Sequence, residues 1–267
     1  MKEDSLYTKF PEWYDCLYGQ VDIQETSSSL EFIQWFLKYK DLEPKNPGQI
    51  ILDMGSGTGR TLIPLTQQGY AVEGMEPFEG MIKIAHKKAK QVNTRITVTQ
   101  GSYQSLSGSD KYQLIFGING SMAYLLSSDE FSLAFRNIFR ALRPGGIFLV
   151  DLMNFYGLIK SYKPPEPQNI EIDGKKALYV LSFKIDLNRT TWTHHARIIL
   201  SGDEKDDKKK TLLYEDIHEL SMINLRELQF YAKLAGLNFI ENFQSYEDRP
   251  YDRKSGIRII AVFQKPI

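Results

Sequence analysis

Cysteine, net charge and long apolar runs are what this sequence of 267 residues has least of. Its single cysteine, Cys16, excludes an internal disulfide and a cysteine-based zinc cage, and it fits a reducing compartment. Thirty-three basic residues balance thirty-three acidic ones, which gives no support to a nucleic-acid partner. No apolar run approaches the roughly 18 residues of a membrane span, and residues 1–5 are polar, with no secretory signal after them. We therefore expect a cytoplasmic protein that acts without a membrane.

Strand and helix patterns alternate through the first 152 residues and return near the carboxyl end. Helices are predicted at 27–40, 59–69, 78–91, 129–142 and 224–235. Strands are predicted at 49–54, 70–76, 96–99, 112–118, 146–152, 237–244 and 257–263. Such alternation implies a mostly parallel sheet with helices on both faces. The sequence therefore predicts the α/β class with a doubly wound sheet.

The pattern changes at 161–167, where prolines interrupt the alternation of helices and strands. Residues 178–187, 190–200 and 211–222 have the period-two alternation of antiparallel strands with one solvated face. The charged run at 203–210 is predicted to be a solvated hairpin loop. We predict an inserted antiparallel β-subdomain at 161–222, for substrate binding or dimerisation, between core segments at 1–160 and 223–267.

A glycine-rich turn follows the predicted strand at 49–54 and has the sequence Gly55-Ser56-Gly57-Thr58-Gly59-Arg60. Glu76 lies about twenty positions further on. A parallel α/β sheet holds a nucleoside with such a turn and acid at the carboxyl ends of its strands. A dinucleotide site needs Gly-x-Gly-x-x-Gly, but Arg60 stands where the third glycine would be. The turn therefore disfavours an NAD-dependent oxidoreductase, which remains a distant alternative.

Four segments, in this order, resemble the class I S-adenosylmethionine-dependent methyltransferase family: 52–59, 72–78, 100–103 and 142–150. Within that family the chain is most similar to bacterial small-molecule N-methyltransferases of the aminosugar type. That likeness is carried by Tyr-Asp-Cys-Leu-Tyr at 14–18, by Asn-Gly-Ser-Met-Ala-Tyr-Leu at 119–125 and by the antiparallel insertion. The resemblance implies a Rossmann-like fold with seven strands and an N-terminal helical lid. It also implies S-adenosyl-L-methionine as cofactor and S-adenosyl-L-homocysteine as product.

The resemblance further implies a set of cofactor contacts. Glycines at the turn let the backbone approach the amino-acid arm of the cofactor, Asp53 would anchor its ammonium group, and Glu76 would accept from both ribose hydroxyls. Ser102 departs from the family, in which many members have an aspartate that binds the adenine. The predicted cofactor-binding residues are Asp53, Gly55, Ser56, Gly57, Arg60, Glu76, Pro77, Phe78, Met81, Ser102, Tyr103, Ile118 and Asn119.

Methyl transfer from a sulfonium is an in-line displacement, so the enzyme mainly has to place an acceptor lone pair behind the methyl group. In the aminosugar group two side chains beside the acceptor nitrogen map to Tyr14 and Tyr124. His218 shares a strand face with Asp216 and can bind or deprotonate an amine if that face covers the site. Tyr14, Tyr124 and His218 are thus the predicted catalytic residues. Helix packing for Tyr14, and a sheet or dimer contact for His218, are the alternatives.

The sequence therefore predicts a methyltransferase that acts on a small-molecule amine. Transfer to oxygen or carbon is the first alternative, since positioning does most of the catalysis in each case, and a non-catalytic protein that binds the cofactor is another. No metal is predicted, because the four histidines and the cysteine have no ligand spacing. A small molecule is the predicted partner, and an exposed antiparallel sheet makes a homodimer a candidate assembly.

Overall fold

The computed structural model describes residues 6–21, 23–42, 44, 48–159, 166–200, 211–252, 254 and 256–267. The strands are β1 (Ile50–Met54), β2 (Ala71–Glu76), β3 (Thr97–Gln100), β4 (Tyr112–Gly117), β5 (Leu142–Met153), β6 (Gln168–Ile172), β7 (Lys175–Asp186), β8 (Thr191–Leu200), β9 (Thr211–Ser221), β10 (Asn238–Phe243) and β11 (Arg258–Gln264). The helices are α1 (Pro11–Val21), α2 (Ile23–Tyr39), α3 (Leu62–Gln67), α4 (Glu79–Gln91), α5 (Ser128–Ala141), α6 (Phe155–Ile159) and α7 (Leu225–Ala235), with a 3-10 turn at Ser121–Tyr124. Within these described residues, no helix has the length and apolar character to cross a membrane.

Seven strands form one sheet in the order β10-β11-β5-β4-β1-β2-β3. The strands from β5 to β3 are parallel, whereas β11 runs antiparallel to both β5 and β10. The chain adds β2 and β3 on one side of β1 and then crosses to add β4 and β5 on the other. Ligands of open α/β sheets bind at the carboxyl ends of the strands where the order reverses. The predicted doubly wound, mostly parallel seven-stranded sheet is confirmed.

Alternate side chains of the central strands supply two hydrophobic layers. Leu52 of β1 and Ile115 of β4 pack on the side that carries α5 and α7, whereas Ile51 and Leu114 pack on the side that carries α2 and α3. Strands that are apolar on both faces are typical of a parallel sheet between two helical layers. The core therefore fixes the carboxyl ends of β1, β2 and β4 side by side.

The inserted strands form a separate antiparallel sheet in the order β6-β7-β8-β9. One face is buried, with Tyr179 of β7, Ile198 of β8 and Tyr214 of β9 in a hydrophobic cluster. The cluster is completed by Leu6 and Leu17 of the N-terminal segment. The N-terminal residues thus lie between the inserted sheet and the core. Division of the chain into domains at 161 and 222 remains a prediction.

Several element boundaries differ from the predicted ones. Helix α3 begins at Leu62, three residues later than predicted, because Gly59 has a left-handed φ of +81°. Helix α2 begins at Ile23, four residues earlier than predicted. Strand β6 was not predicted, because Ile170 and Ile172 are the only apolar residues in its five. The hairpin loop predicted at 203–210 lies outside the described residues.

Candidate active site

One cavity of about 850 Å³ opens at the carboxyl ends of β1, β2 and β4. The N-terminal segment, the 3-10 turn and β9 form its other walls. All the residues predicted from the sequence line it, although they come from six separate parts of the chain. They are Tyr14, Asp53, Gly55, Ser56, Gly57, Arg60, Glu76, Pro77, Phe78, Met81, Ser102, Tyr103, Ile118, Asn119, Tyr124 and His218.

The glycine turn is shaped by close packing against the loop after β4. Gly55 has a φ of +74°, and a Cβ atom there would lie 2.7 Å from the Cβ of Ser121. Gly57 also has a left-handed φ, of +55°. Any side chain at either position would be strained, and one at Gly55 would also clash. The turn therefore leaves bare backbone facing the cavity.

Glu76, at the end of β2, accepts two backbone hydrogen bonds. Its Oε2 atom accepts from the N–H of Gly57 at 2.9 Å, and its Oε1 atom accepts from the N–H of Phe78 at 3.1 Å. Burial raises the pKa of Glu76 to about 7, although these two hydrogen bonds oppose the shift. Each carboxylate oxygen keeps a second lone pair, so Glu76 shapes the turn and can still accept from a ligand.

Asp53, at the end of β1, is only 2% exposed. Burial is the main cause that raises the pKa of Asp53 to about 8, and the charge of Glu76 adds to it, while Arg60 partly offsets both. The two buried acids can accept hydrogen bonds from ribose hydroxyls and an ammonium group, and the bare backbone turn lets a ligand approach closely. A cationic nucleoside derivative needs both. Ser56 adds a buried hydroxyl that has no hydrogen-bond partner among the described residues. The residues present therefore fit S-adenosylmethionine.

Tyr103 lines the cavity and is held there by a hydrogen bond of its hydroxyl. The hydroxyl lies 2.8 Å from Ser121 Oγ, and Ser121 donates to the carbonyl of Met54 at 3.2 Å. Burial raises the pKa of Tyr103, so the hydroxyl stays protonated. Beside it, the N–H of Ser102 donates to Ser105 Oγ at 2.8 Å. The predicted adenine contact is thus an aromatic face and a short polar side chain.

A buried ion pair lies behind Asn119 and was not predicted. Arg258 donates to both carboxylate oxygens of Asp151 at 3.0 Å. Asp151 accepts from the N–H of Asn119 at 2.8 Å, and the Tyr246 hydroxyl lies 2.6 Å from Asp151 and 3.0 Å from Asn119 Oδ1. Asn119 has a left-handed φ of 54°. The ion pair therefore holds the strained start of the loop that carries Tyr124.

Helix α1 is tied to the glycine turn by Asp15. Its carboxylate accepts from Thr58 Oγ1 at 2.7 Å and from Lys88 Nζ at 2.9 Å. Beside it, Arg60 donates to the Tyr14 hydroxyl at 3.2 Å, and its guanidinium lies 5.2 Å from the centroid of the Tyr14 ring. Tyr14 thus lies over the turn that begins the predicted cofactor site, and the lid role of α1 stays a prediction.

Next to Tyr14, whose ring centroid lies 5.8 Å from that of Tyr7, hydrogen bonds join three side chains that we call the Tyr–His chain: Tyr7, Tyr124 and His218. The hydroxyls of Tyr7 and Tyr124 are 2.8 Å apart, and the Tyr124 hydroxyl is 3.3 Å from His218 Nδ1. His218 Nε2 is 3.0 Å from Asp216 Oδ2. The Tyr7 ring stacks on Phe78 with centroids 5.2 Å apart. Tyr7 was missed, since no local pattern distinguishes it from its aromatic neighbours.

The described residues contain no group of three or more histidine, cysteine, aspartate or glutamate side chains placed to hold a metal ion. The cavity combines an unobstructed backbone turn, two buried acids and an aromatic wall at the switch point of the sheet. These features define an α/β protein with a candidate nucleoside site at the carboxyl ends of its strands.

Comparison with known proteins gives the class of reaction. Residues 51–146 match the family described as a methyltransferase domain. A putative methyltransferase of Geobacillus sp. (strain WCH70) is 29% identical over 244 residues, which are 91% of this chain and 93% of that protein. Among solved structures, an S-adenosylmethionine-dependent methyltransferase from Clostridium acetobutylicum has a TM-score of 0.74 at 19% identity and covers 98% of this chain and 100% of its own.

The sugar N-methyltransferase KedS8 from Streptoalloteichus sp. has a TM-score of 0.72 at 18% identity, over 95% of this chain and 93% of its own. The solved structures show the Rossmann-like fold. The matched domain and the Geobacillus relative, together with the fit of the cavity to the cofactor, support an S-adenosylmethionine-dependent methyltransferase. The family, enzyme class and cofactor predicted from the sequence are confirmed. The roles of individual site residues remain predictions.

Proposed function

We propose that this enzyme methylates the nitrogen of a small-molecule amine. The observation that carries the proposal is the chemistry of the acceptor half of the cavity, where the Tyr–His chain lies beside the buried carboxylate of Asp216. Among the described residues that line the cavity, the only lysine or arginine is Arg60, and it lies on the Tyr14 ring. Glu130 and Glu219 also line the cavity. Such a wall favours a cation over an anion.

We assign the cofactor to the part of the cavity that the glycine turn, Asp53 and Glu76 line. The bare backbone from Gly55 to Gly57 would hold its amino-acid arm with Asp53 against the ammonium group, and Glu76 would accept from the ribose hydroxyls. When bound, S-adenosylmethionine supplies a methyl group on a positively charged sulfur. The contribution of the protein is to hold the acceptor in line with that group and to exclude water.

An amine acceptor fits the Tyr–His chain for two reasons. Phenol oxygens accept hydrogen bonds from N–H groups, and the faces of Tyr7 and Phe78 attract cations. An ammonium group has no lone pair and must lose a proton before it attacks, which a nearby base promotes. The likeness to KedS8, a sugar N-methyltransferase, supports the same class of acceptor.

The test is a panel of amines, each with its N-acetyl counterpart: glucosamine, tyramine and glycine. Each is incubated with the protein and S-adenosylmethionine, and S-adenosylhomocysteine release and the mass of the acceptor are measured. We expect one amine to gain a methyl group on nitrogen and its N-acetyl counterpart to gain none. Equal methylation of the N-acetyl compound would instead assign the reaction to an oxygen or carbon acceptor.

A further inference from the structure

We propose that the Tyr–His chain is a proton relay, which carries the proton lost by the acceptor to His218. Asp216 and Tyr214 are its positioning residues. The proposal rests on the proposed function, because only an acceptor that arrives as an ammonium ion has such a proton to lose. It adds roles for Tyr7, Asp216 and Tyr214, and it says in which direction the proton moves along the Tyr–His chain.

The direction of proton transfer follows from the hydrogen-bond donors around Asp216. Its Oδ2 atom accepts from the Tyr214 hydroxyl at 2.6 Å and from the N–H of Leu6 at 3.2 Å, and its Oδ1 atom accepts from the N–H of Ile217 at 2.8 Å. Burial alone would raise the pKa of Asp216, but hydrogen bonds from His218 and Tyr214 outweigh it and lower the pKa to about 2. Asp216 is therefore ionised and can only accept.

An ionised Asp216 fixes the tautomer of His218. Because Asp216 Oδ2 is 3.0 Å from His218 Nε2, this nitrogen carries the proton and Nδ1 is an acceptor. The Tyr124 hydroxyl must then donate to Nδ1, and its oxygen accepts from the Tyr7 hydroxyl. The lone pairs of the Tyr7 oxygen are left for the N–H of an acceptor. Every hydrogen bond of the Tyr–His chain thus points from Tyr7 towards His218.

Tyr7 is held in place from two sides. The N–H of Leu6 donates to the Tyr214 hydroxyl at 2.9 Å, which joins the N-terminal segment to the same carboxylate that orients His218. On the other side, a Cβ atom at Gly80 would lie 3.0 Å from the carbonyl oxygen of Tyr7. Only glycine lets α4 approach so closely without displacement. The first and last members of the chain are therefore positioned together.

The groups that face His218 leave it as the member that can hold an added proton. Burial raises the pKa of Tyr7 and of Tyr124, so neither forms a phenolate at neutral pH. His194, directly across on β8, has its ring centroid 5.9 Å away. Burial is the main cause that lowers the pKa of His194 to about 4, so His194 is neutral there. His218 Nδ1 has the lone pair that can receive this proton, and Asp216 Oδ2 lies 3.0 Å from Nε2 on the other side of the ring.

The step balances as follows. The ammonium group gives one N–H proton to the Tyr7 oxygen, the Tyr7 proton moves to Tyr124, and the Tyr124 proton moves to Nδ1 of His218. The freed nitrogen lone pair forms the N–C bond to the methyl group, and the electrons of the broken C–S bond stay on sulfur. The imidazolium later returns its proton to water. Each methyl transfer therefore releases one proton, and the product is a methylammonium ion.

The first experiment needs no acceptor. Nitrogen NMR of histidine-labelled protein at neutral pH reports which ring nitrogen carries the proton, and His218→Gln identifies the signals by their loss. We expect the Nε2–H tautomer in the wild type and its partial or complete loss in Asp216→Asn. A wild-type His218 protonated on Nδ1 would reverse the hydrogen bond to Tyr124 and overturn the relay.

The second experiment uses the amine that is methylated in the panel. At neutral pH, His218→Gln is expected to lower kcat about 100-fold, and the deficit should shrink as the pH is raised above the pKa of the amine itself. KM and the Kd for S-adenosylhomocysteine should change by less than about twofold. His195→Gln is the matched control. His194 faces His218, whereas His195 lies on the other face of the inserted sheet, where its Nε2 atom is 2.8 Å from Glu215 Oε1.

A loss of kcat that is equal at every pH, or no loss, would overturn the relay and leave the amine acceptor in place. Methylation of the N-acetyl compounds would overturn the proposed function instead. The tautomer measured by NMR depends neither on the kcat measurements nor on the amine panel. A failure of the relay can therefore be distinguished from a failure of the proposed function.

Discussion

At the scale of single residues, Glu76 has two tasks that a substitution can separate. Its carboxylate fixes the turn through Gly57 and Phe78 and would accept from the ribose. Hydrogen bonds to a charged group are worth about 1.5–3 kcal/mol each, so Glu76→Ala should raise the Kd for S-adenosylhomocysteine at least about 100-fold. Titration calorimetry measures this change.

Glu73 provides the control, because it lies on the same strand but bonds Lys111 at 2.6 Å and Tyr112 at 2.9 Å. Glu73→Ala should leave the Kd unchanged. An equal effect of the two substitutions, or none in Glu76→Ala, would contradict the assigned ribose contact.

Asp53 and Glu76 should also make the ligand-free protein less stable as the pH rises. Folding raises the pKa of Asp53 from 3.8 to about 8 and that of Glu76 from 4.5 to about 7, mainly by burial. At pH values between its unfolded and its folded pKa, each acid binds more protons in the folded state than in the unfolded state. The free energy of unfolding therefore falls as the pH rises through this range. Urea unfolding between about pH 5 and pH 8 should show this decline, and Asp53→Asn should reduce it. An unchanged decline in the variant would assign the dependence to other groups.

Residues that lie within one continuous segment were predictable, and residues brought together by the fold were not. Asp53, the glycines and Glu76 follow from a strand, a turn and an acid at fixed spacing. Tyr7 contacts Tyr124 across 117 positions, and Arg258 pairs with Asp151 across 107. No local pattern encodes such pairs. Asp216 was found only because period-two alternation puts it on the same strand face as His218.

At the scale of elements, Asp15 and Tyr14 of α1 make polar contacts with the glycine turn and α4 among the described residues. The ion pair between Asp15 and Lys88 is about one-third exposed on each side, and Thr58 adds one hydrogen bond. Exposed ion pairs contribute about 0.2–1 kcal/mol, so loss of this partly exposed pair should loosen α1 without unfolding it, and we expect α1 to open when the cofactor exchanges. Asp15→Asn should therefore increase the rate of S-adenosylhomocysteine release about two- to tenfold, as measured by stopped-flow displacement.

Glu12→Gln is the control for α1, because Glu12 is an exposed acid on the same helix. It should leave the release rate unchanged. A release rate that is equally insensitive to both substitutions would mean that α1 does not limit cofactor exchange.

Most elements were predictable because their hydrophobic periods differ clearly, 3.6 residues in helices and two in the inserted strands. The exceptions have physical reasons. Strand β6 is short and half polar, and it is stabilised by pairing with β7. The start of α3 was misplaced because helical periodicity does not reveal the left-handed φ of Gly59.

At the scale of the whole molecule, the N-terminal segment joins the two sheets. Leu6 and Leu17 pack on the inserted sheet, while Asp15 bonds Thr58 beside the core. The acceptor wall and the predicted cofactor site therefore belong to one connected structure, and we expect a single unfolding transition. A homodimer remains a prediction that light scattering would test.

Cofactor binding should stabilise this whole structure, and the identity of the ligand tests the interpretation of the glycine turn. S-adenosylhomocysteine at 100 times its Kd adds about 2.7 kcal/mol to the free energy of unfolding. For a chain of this length that corresponds to a rise in Tm of about 5–10 °C, measured by calorimetry. NAD at the same concentration should give no rise, because Arg60 replaces the glycine that a dinucleotide site needs. If NAD alone raised the Tm, the turn would be a dinucleotide site, and the roles assigned to Asp53, Glu76 and the Tyr–His chain would all be wrong.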